Sequence, residues 1–133
     1  MKIAIRYYSK TGNTKKLAEE IGAALKIPAE DVSQPLTEDV DVLFLGSAVY
    51  AAGVDSEVKT FIQNINVKVG KVVNISTAAL LPSTYKQVKK LVEQKGLMMA
   101  KEEFHCRGAF QMMHKNRPNA EDLKAVVAFA KNV

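Results

Sequence analysis

Cysteine is almost missing from this chain. One thiol, Cys106, stands among 133 residues, so no intramolecular disulfide can form and no cysteines sit at metal-ligand spacing. Histidine is nearly as scarce: His105 and His114 are the only two, with no carboxylate at ligand spacing, which argues against a metal centre. No apolar run approaches the ~20 residues that a membrane-spanning helix needs. The opening Met1-Lys2 leads into a short apolar run that soon reaches Arg6, unlike a secretory leader. A soluble protein of the reducing cytoplasm is expected, with no membrane contact.

Nucleic-acid binding is also disfavoured. Nineteen Lys and Arg against fourteen Asp and Glu give a net charge of +5, but the lysines are scattered. The densest set, Lys86, Lys89, Lys90 and Lys95, follows a helical pattern without interleaved aromatics for stacking. It reads as a solvated helix face rather than a docking patch. The length fits one domain, residues 1–133, able to bury about two-thirds of the surface its unfolded chain exposes.

What is present is a regular alternation. Residues 2–8 are β-branched and aromatic and predict a strand. From Asn13 or Thr14 onward, Leu17, Ile21, Ala24 and Leu25 form one apolar stripe of a helix that Pro28 ends. A weak strand candidate lies near Val32. Val40–Leu45 is a nearly continuous apolar run stopped by Gly46, as in a strand buried on both faces. A helix carrying Val54, Val58, Phe61, Ile62 and Ile65 follows, then a strand over 71–76. A helix with Tyr85, Val88, Leu91 and Val92 runs to Gly96, residues 97–106 supply a last strand, and Leu123, Val126, Val127 and Ala130 stripe a C-terminal helix capped near Asn119. Such alternation predicts parallel strands, right-handed crossovers and helices on both faces, a three-layer α/β/α sandwich.

In an open parallel sheet, ligands sit beyond the carboxyl ends of the strands where the strand order reverses. The first strand-to-helix loop, Ser9-Lys10-Thr11-Gly12-Asn13-Thr14, lies there. Backbone N–H groups at the helix start and the positive dipole end favour an anion, and Gly12 lets the chain turn close to it. Ser9, Thr11 and Thr14 can add hydroxyl donors. GxxxxGK[ST] and GxGxxG are both absent, which leaves a hydroxyl-rich phosphate cradle that does not depend on a lysine. A helix N-cap would account for one such polar residue, whereas here four surround a glycine.

The run Tyr8-Ser9-Lys10-Thr11-Gly12-Asn13-Thr14 resembles the signature of the flavodoxin family, in which a [ST]-x-[ST]-G-[NT]-T loop holds the phosphate of FMN. The likeness extends over essentially the whole chain, without an insertion in the last strand, as in short-chain members. It implies a flavodoxin-like fold with a five-stranded parallel sheet in the order 2-1-3-4-5. It also implies two further flavin loops. Ser47, Val49, Tyr50, Ala51, Ala52 and Gly53 match the loop covering one face of the ring, with Tyr50 placed to stack on it. Thr77, Ala78, Ala79 and Leu80 match the loop on the other side.

Three features depart from the family pattern. Leu80 stands where an aromatic is usual, so the ring would be stacked on one face only. Ala51 stands where a glycine commonly allows a peptide to flip toward the reduced flavin, with Gly53 two residues later, and alanine tolerates that geometry less well. The net charge is basic where the family is typically acidic.

The residues outside these loops point elsewhere. Cys106, in the last strand beside Phe104, is expected to be structural, and His105 to face the opposite side of the sheet. Phe104–Phe110 is expected to border the flavin, although turning at Gly108 explains the run equally well, and Met98 and Met99 read as core filler. No acid–base pair or nucleophile constellation is visible, which suits a protein whose cofactor does the chemistry. The implied function is therefore low-potential electron transfer by bound FMN, with redox proteins or small acceptors as partners, acting as a monomer or weak homodimer. The alternative is an FMN-dependent NAD(P)H:quinone or other small-acceptor reductase; a module that has lost its flavin is disfavoured by retention of the loop.

Overall fold

The protein is described from a computed structural model that places residues 1–49, 55–78, 84–107 and 117–133, without the side chains of Val49, Ala78 and Arg107. Five strands form one sheet: β1 (Ile3–Tyr7), β2 (Ala29–Asp31), β3 (Val40–Val49), β4 (Val69–Ala78) and β5 (Met99–Arg107). They lie in the order β2-β1-β3-β4-β5, and every pairing is parallel. This is the expected order.

The apolar periodicities explain the layers. Leu43, Leu45 and Val72 point from the sheet toward α2 (Ser56–Gln63) and α3 (Tyr85–Gln94), meeting Val58, Ile62, Val88 and Val92. Ile5, Phe44, Val73 and Ile75 point the other way, toward α1 (Asn13–Leu25) and α4 (Ala120–Lys131), meeting Leu17, Ile21 and Val126. Period-2 strands and period-3.6 helix stripes thus close a core on each face of the sheet.

Several boundaries differ from the sequence expectations. Gly46 does not stop its strand, because β3 continues to Val49, with Gly46 opposite Tyr7 on one side and Ile75 on the other. A Cβ on Gly46 would lie 2.7 Å from the Thr14 methyl and 3.2 Å from the Tyr7 Cβ. The glycine therefore lets the head of α1 approach the sheet; it does not break the strand. β2 falls just before Val32, whose buried side chain and N–H, bonded to the Tyr7 carbonyl at 2.9 Å, continue the docking after the strand proper ends. β4 extends past 71–76 at both ends, and β5 begins at Met99, leaving Met98 58% exposed rather than in the core. α2 starts at Ser56, with Val54 outside the described residues and Ile65 buried beyond the helix end.

Asn119 caps α4 as expected. Its side chain accepts from the Asp122 N–H at 3.0 Å while the Asp122 carboxylate accepts from the Asn119 N–H at 2.8 Å, a reciprocal capping box. His105 faces away from the α1/α4 layer that holds Phe104 and Cys106, and its Nδ1 meets the Glu103 carboxylate at 2.6 Å.

Candidate functional site

The order reverses between β1 and β3, and the loop leaving β1 opens beside that switch point. Gly12 is the N-cap of α1 in a left-handed conformation, φ 87°, which an L side chain rarely adopts, and a Cβ built there would meet no heavy atom of the described residues within 4 Å. The backbone turn, not crowding by the described residues, requires glycine. Having no side chain, this N-cap supplies no acceptor to the helix start, and no acidic residue stands in the first turn. The positive end of α1 is therefore uncompensated by a carboxylate of its own, a donor set suited to an anion.

The loop side chains divide into two groups. Ser9 Oγ accepts from the Gly12 N–H at 2.9 Å, which shapes the turn and leaves the hydroxyl proton for a ligand. Thr11 is exposed. Lys10 reaches across to Asp55, Nζ to Oδ2 3.2 Å, so its charge bridges to the residue before α2. Asp55 sits below the ordinary carboxylate range: its hydrogen bond with Glu57 lowers it most, burial opposes this, and the hydrogen bond and charge of Lys10 add to the lowering. Asn13 and Thr14 are buried at the helix head. Thr14 Oγ1 gives its single proton to the Ser47 carbonyl at 3.1 Å, so its backbone N–H, and not its hydroxyl, is what it can offer a ligand.

The other predicted site residues start from the same edge. Ser47 pairs with Ser76, Ala48 with Thr77 and Val49 with Ala78, so β3 and β4 end level with each other. Ser47 and Thr77 are buried, with side chains engaged within the protein: Ser47 Oγ lies 2.8 Å from Thr84 Oγ1, and Thr77 Oγ1 lies 2.9 Å from Thr14 Oγ1. Tyr50, Ala51, Ala52, Gly53, Ala79 and Leu80, together with Gly108, Phe110 and His114, lie outside the described residues. The first loop and the roots of the other two are thus brought together. Sequence reasoning missed Asn74, Ser76 and Thr84, all fully buried and polar beneath this edge. For Asn74 and Ser76 the available signal was polar residues inside an otherwise apolar buried strand; Thr84, the N-cap of α3, carried no such signal.

A groove of about 580 Å³ lies farther out, between the segment after β2 and α2. It carries the Asp31 and Glu57 carboxylates, which repel a phosphate, so the anion-suited position remains the head of α1.

A five-stranded parallel sheet with helices on both faces and a helix start suited to an anion at its switch point defines the broad class, a doubly wound α/β protein. The flavodoxin domain model matches residues 4–125, and the chain belongs to the flavodoxin family, which implies a flavin cofactor, usually FMN. It is 28% identical over 134 residues to an uncharacterized protein of Methanocaldococcus jannaschii, covering 91% of this chain and 89% of that one. Its structure resembles a flavodoxin from the domain Archaea, with a TM-score of 0.81 and 14% identity over 99% of this chain and 95% of that one. It also resembles oxidised flavodoxin 2 from Bacillus cereus, with a TM-score of 0.71 and 18% identity over 98% and 96% of the two chains. At these identities the structural likenesses speak for the fold.

Among the described residues, no helix is long and apolar enough to cross a membrane.

Proposed function

We propose that this protein binds FMN with its phosphate at the head of α1 and transfers electrons at low potential to redox proteins or small acceptors. The observation that carries this is the loop itself: a left-handed Gly12 N-cap, the Ser9 and Thr11 hydroxyls, and a first helical turn without a carboxylate. When bound, the flavin supplies the electron chemistry. The chain's own residues orient and enclose it. Backbone N–H groups at the start of α1 hold the phosphate together with Ser9 and Thr11, and Lys10 stays on Asp55 as a brace between two loops. The ends of β3 and β4 fix where the loops flanking the ring begin.

Anaerobic, stepwise reduction of the FMN-loaded protein tests the reading, followed by addition of NADH or NADPH to a fresh oxidised sample. The carrier predicts two resolved one-electron steps in the visible spectrum and no bleaching by either nicotinamide. A single two-electron step driven by a nicotinamide would instead make the protein an FMN-dependent reductase on the same fold.

A further inference from the structure

Beneath the ligand edge lies a closed set of polar side chains that neither core packing nor direct ligand contact explains. Thr14, Ser47, Asn74, Ser76 and Thr84 are fully buried and Thr77 is 2% exposed. The six come from four parts of the site's frame: Thr14 heads α1, Ser47 lies near the end of β3, Asn74, Ser76 and Thr77 lie in the last half of β4, and Thr84 is the N-cap of α3. A buried polar group must be paired or it costs stability, and every side-chain nitrogen and oxygen of this set has a hydrogen-bond partner.

Counting protons orients the chain of bonds. Thr14 has one hydroxyl proton and gives it to the Ser47 carbonyl, so in the 2.9 Å contact with Thr77 it is Thr77 that donates. Asn74 Nδ2 donates to Thr84 Oγ1 at 3.0 Å. The Thr84 hydroxyl also lies 2.8 Å from Ser47 Oγ, where either oxygen can donate, and 3.4 Å from Asn74 Oδ1. Two arms therefore run to one residue: Thr77 to Thr14 to the Ser47 carbonyl, and Asn74 to Thr84 to the Ser47 hydroxyl. They come from opposite faces of the sheet. Thr14 belongs to the α1 layer and Thr84 to the α3 layer, and Thr77 and Thr84 bracket the third loop.

We propose that this buried hydroxyl clamp fixes the relative positions of the three loop roots before the cofactor arrives, and that Thr84 is a positioning residue for flavin binding although it does not touch the flavin. The proposal rests on the FMN reading for its ligand but not for its physical test. A site whose loops are already in register loses less freedom on binding. Without the Thr84 hydroxyl, Asn74 Nδ2 loses its acceptor and Ser47 Oγ its hydrogen-bond partner at the sheet edge.

The test compares Thr84→Val, which keeps the shape and removes the hydroxyl, with Thr84→Ser, which keeps the hydroxyl. FMN affinity is measured by quenching of flavin fluorescence, and amide hydrogen exchange is followed in the cofactor-free proteins. The valine variant is expected to bind FMN about tenfold or more weakly, and the serine variant within about threefold of the parent. In the valine variant, exchange should rise at the amides of Gly12–Lys16, remote in sequence from the substitution, while the centre of β1 stays protected. Equal FMN affinity in the two variants, or a rise in exchange spread evenly over the central strands, would overturn the clamp and leave Thr84 a purely structural residue. Failure of the parent to bind FMN would remove the proposed ligand, and the exchange pattern would still decide for or against the clamp. If Thr84→Val does not fold, Asn74→Ala removes the donor at the other end of the same arm and is judged by the same local exchange.

Discussion

Gly46 shows how a single residue type can carry a tertiary instruction. In the sequence it terminates an apolar run and looks like a strand breaker; in the fold it is a mid-strand residue kept bare so that Thr14 can close on the sheet. Gly46→Ala would force a methyl to within 2.7 Å of the Thr14 methyl, and overpacking of this kind costs about 1–3 kcal/mol. A lowered urea midpoint is expected, with FMN binding weakened as well because the head of α1 must move. Cys106 is the opposite case, a residue with reactive chemistry and no opportunity to use it. Burial first, and then the nearby Asp122 carboxylate, push its thiol up to about 12, with Arg117 pulling only weakly the other way. The folded protein should resist a disulfide-exchange reagent at about pH 8, where an unfolded thiol reacts readily. Because the folded thiol holds its proton more tightly than the unfolded one, the stability it contributes is fully present below pH 9.0 and is lost as pH rises toward about 12. Rapid labelling without unfolding would contradict this placement.

At the scale of elements, α4 is pinned at its first turn. Asp122 caps the helix through the Asn119 N–H and accepts a two-pronged bond from Arg117, Nε to Oδ2 2.6 Å and Nη2 to Oδ1 2.8 Å. Burial pushes the Asp122 carboxyl upward, but the bonds from Arg117 and Asn119 and the guanidinium charge outweigh it and hold the group below the ordinary carboxylate value. Asp122→Asn should therefore destabilise the protein by about 1–2 kcal/mol in a denaturant titration at neutral pH. The difference from the parent should close in acid: a lowered carboxyl contributes stability above its unfolded value, which is lost as pH falls through the folded one. Element types were legible in the sequence wherever burial is one-dimensional, as in the α1 stripe, the apolar β3 run and the Asn119 cap. Boundaries slipped where a neighbour decides them. β2 is placed by its pairing with β1 rather than by Val32, and β4 is lengthened by β3 alongside it.

For the molecule as a whole, the parallel three-layer architecture followed from alternation and right-handed crossovers, whereas the strand order came from the resemblance to the flavodoxin family. The geometry of the first loop was readable too, because a turn, a glycine and a helix start are local in sequence. The buried clamp was not readable, since Asn74 and Thr84 acquire meaning only when β3, β4 and α3 bring them within 3.0 Å of shared partners. The same separation runs through the site, where exposed Thr11 faces the solvent and buried Thr14 and Ser47 hold the frame.

The central claim is that the head of α1 is a phosphate site for a flavin. Titration of the cofactor-free protein with FMN and with riboflavin, both followed by flavin fluorescence, tests it most directly, because the two ligands share the ring and the ribityl chain and differ only in the phosphate. One FMN per chain is expected, bound about a hundredfold or more tightly than riboflavin. Equal affinity for the two ligands, or no binding of either, would contradict it.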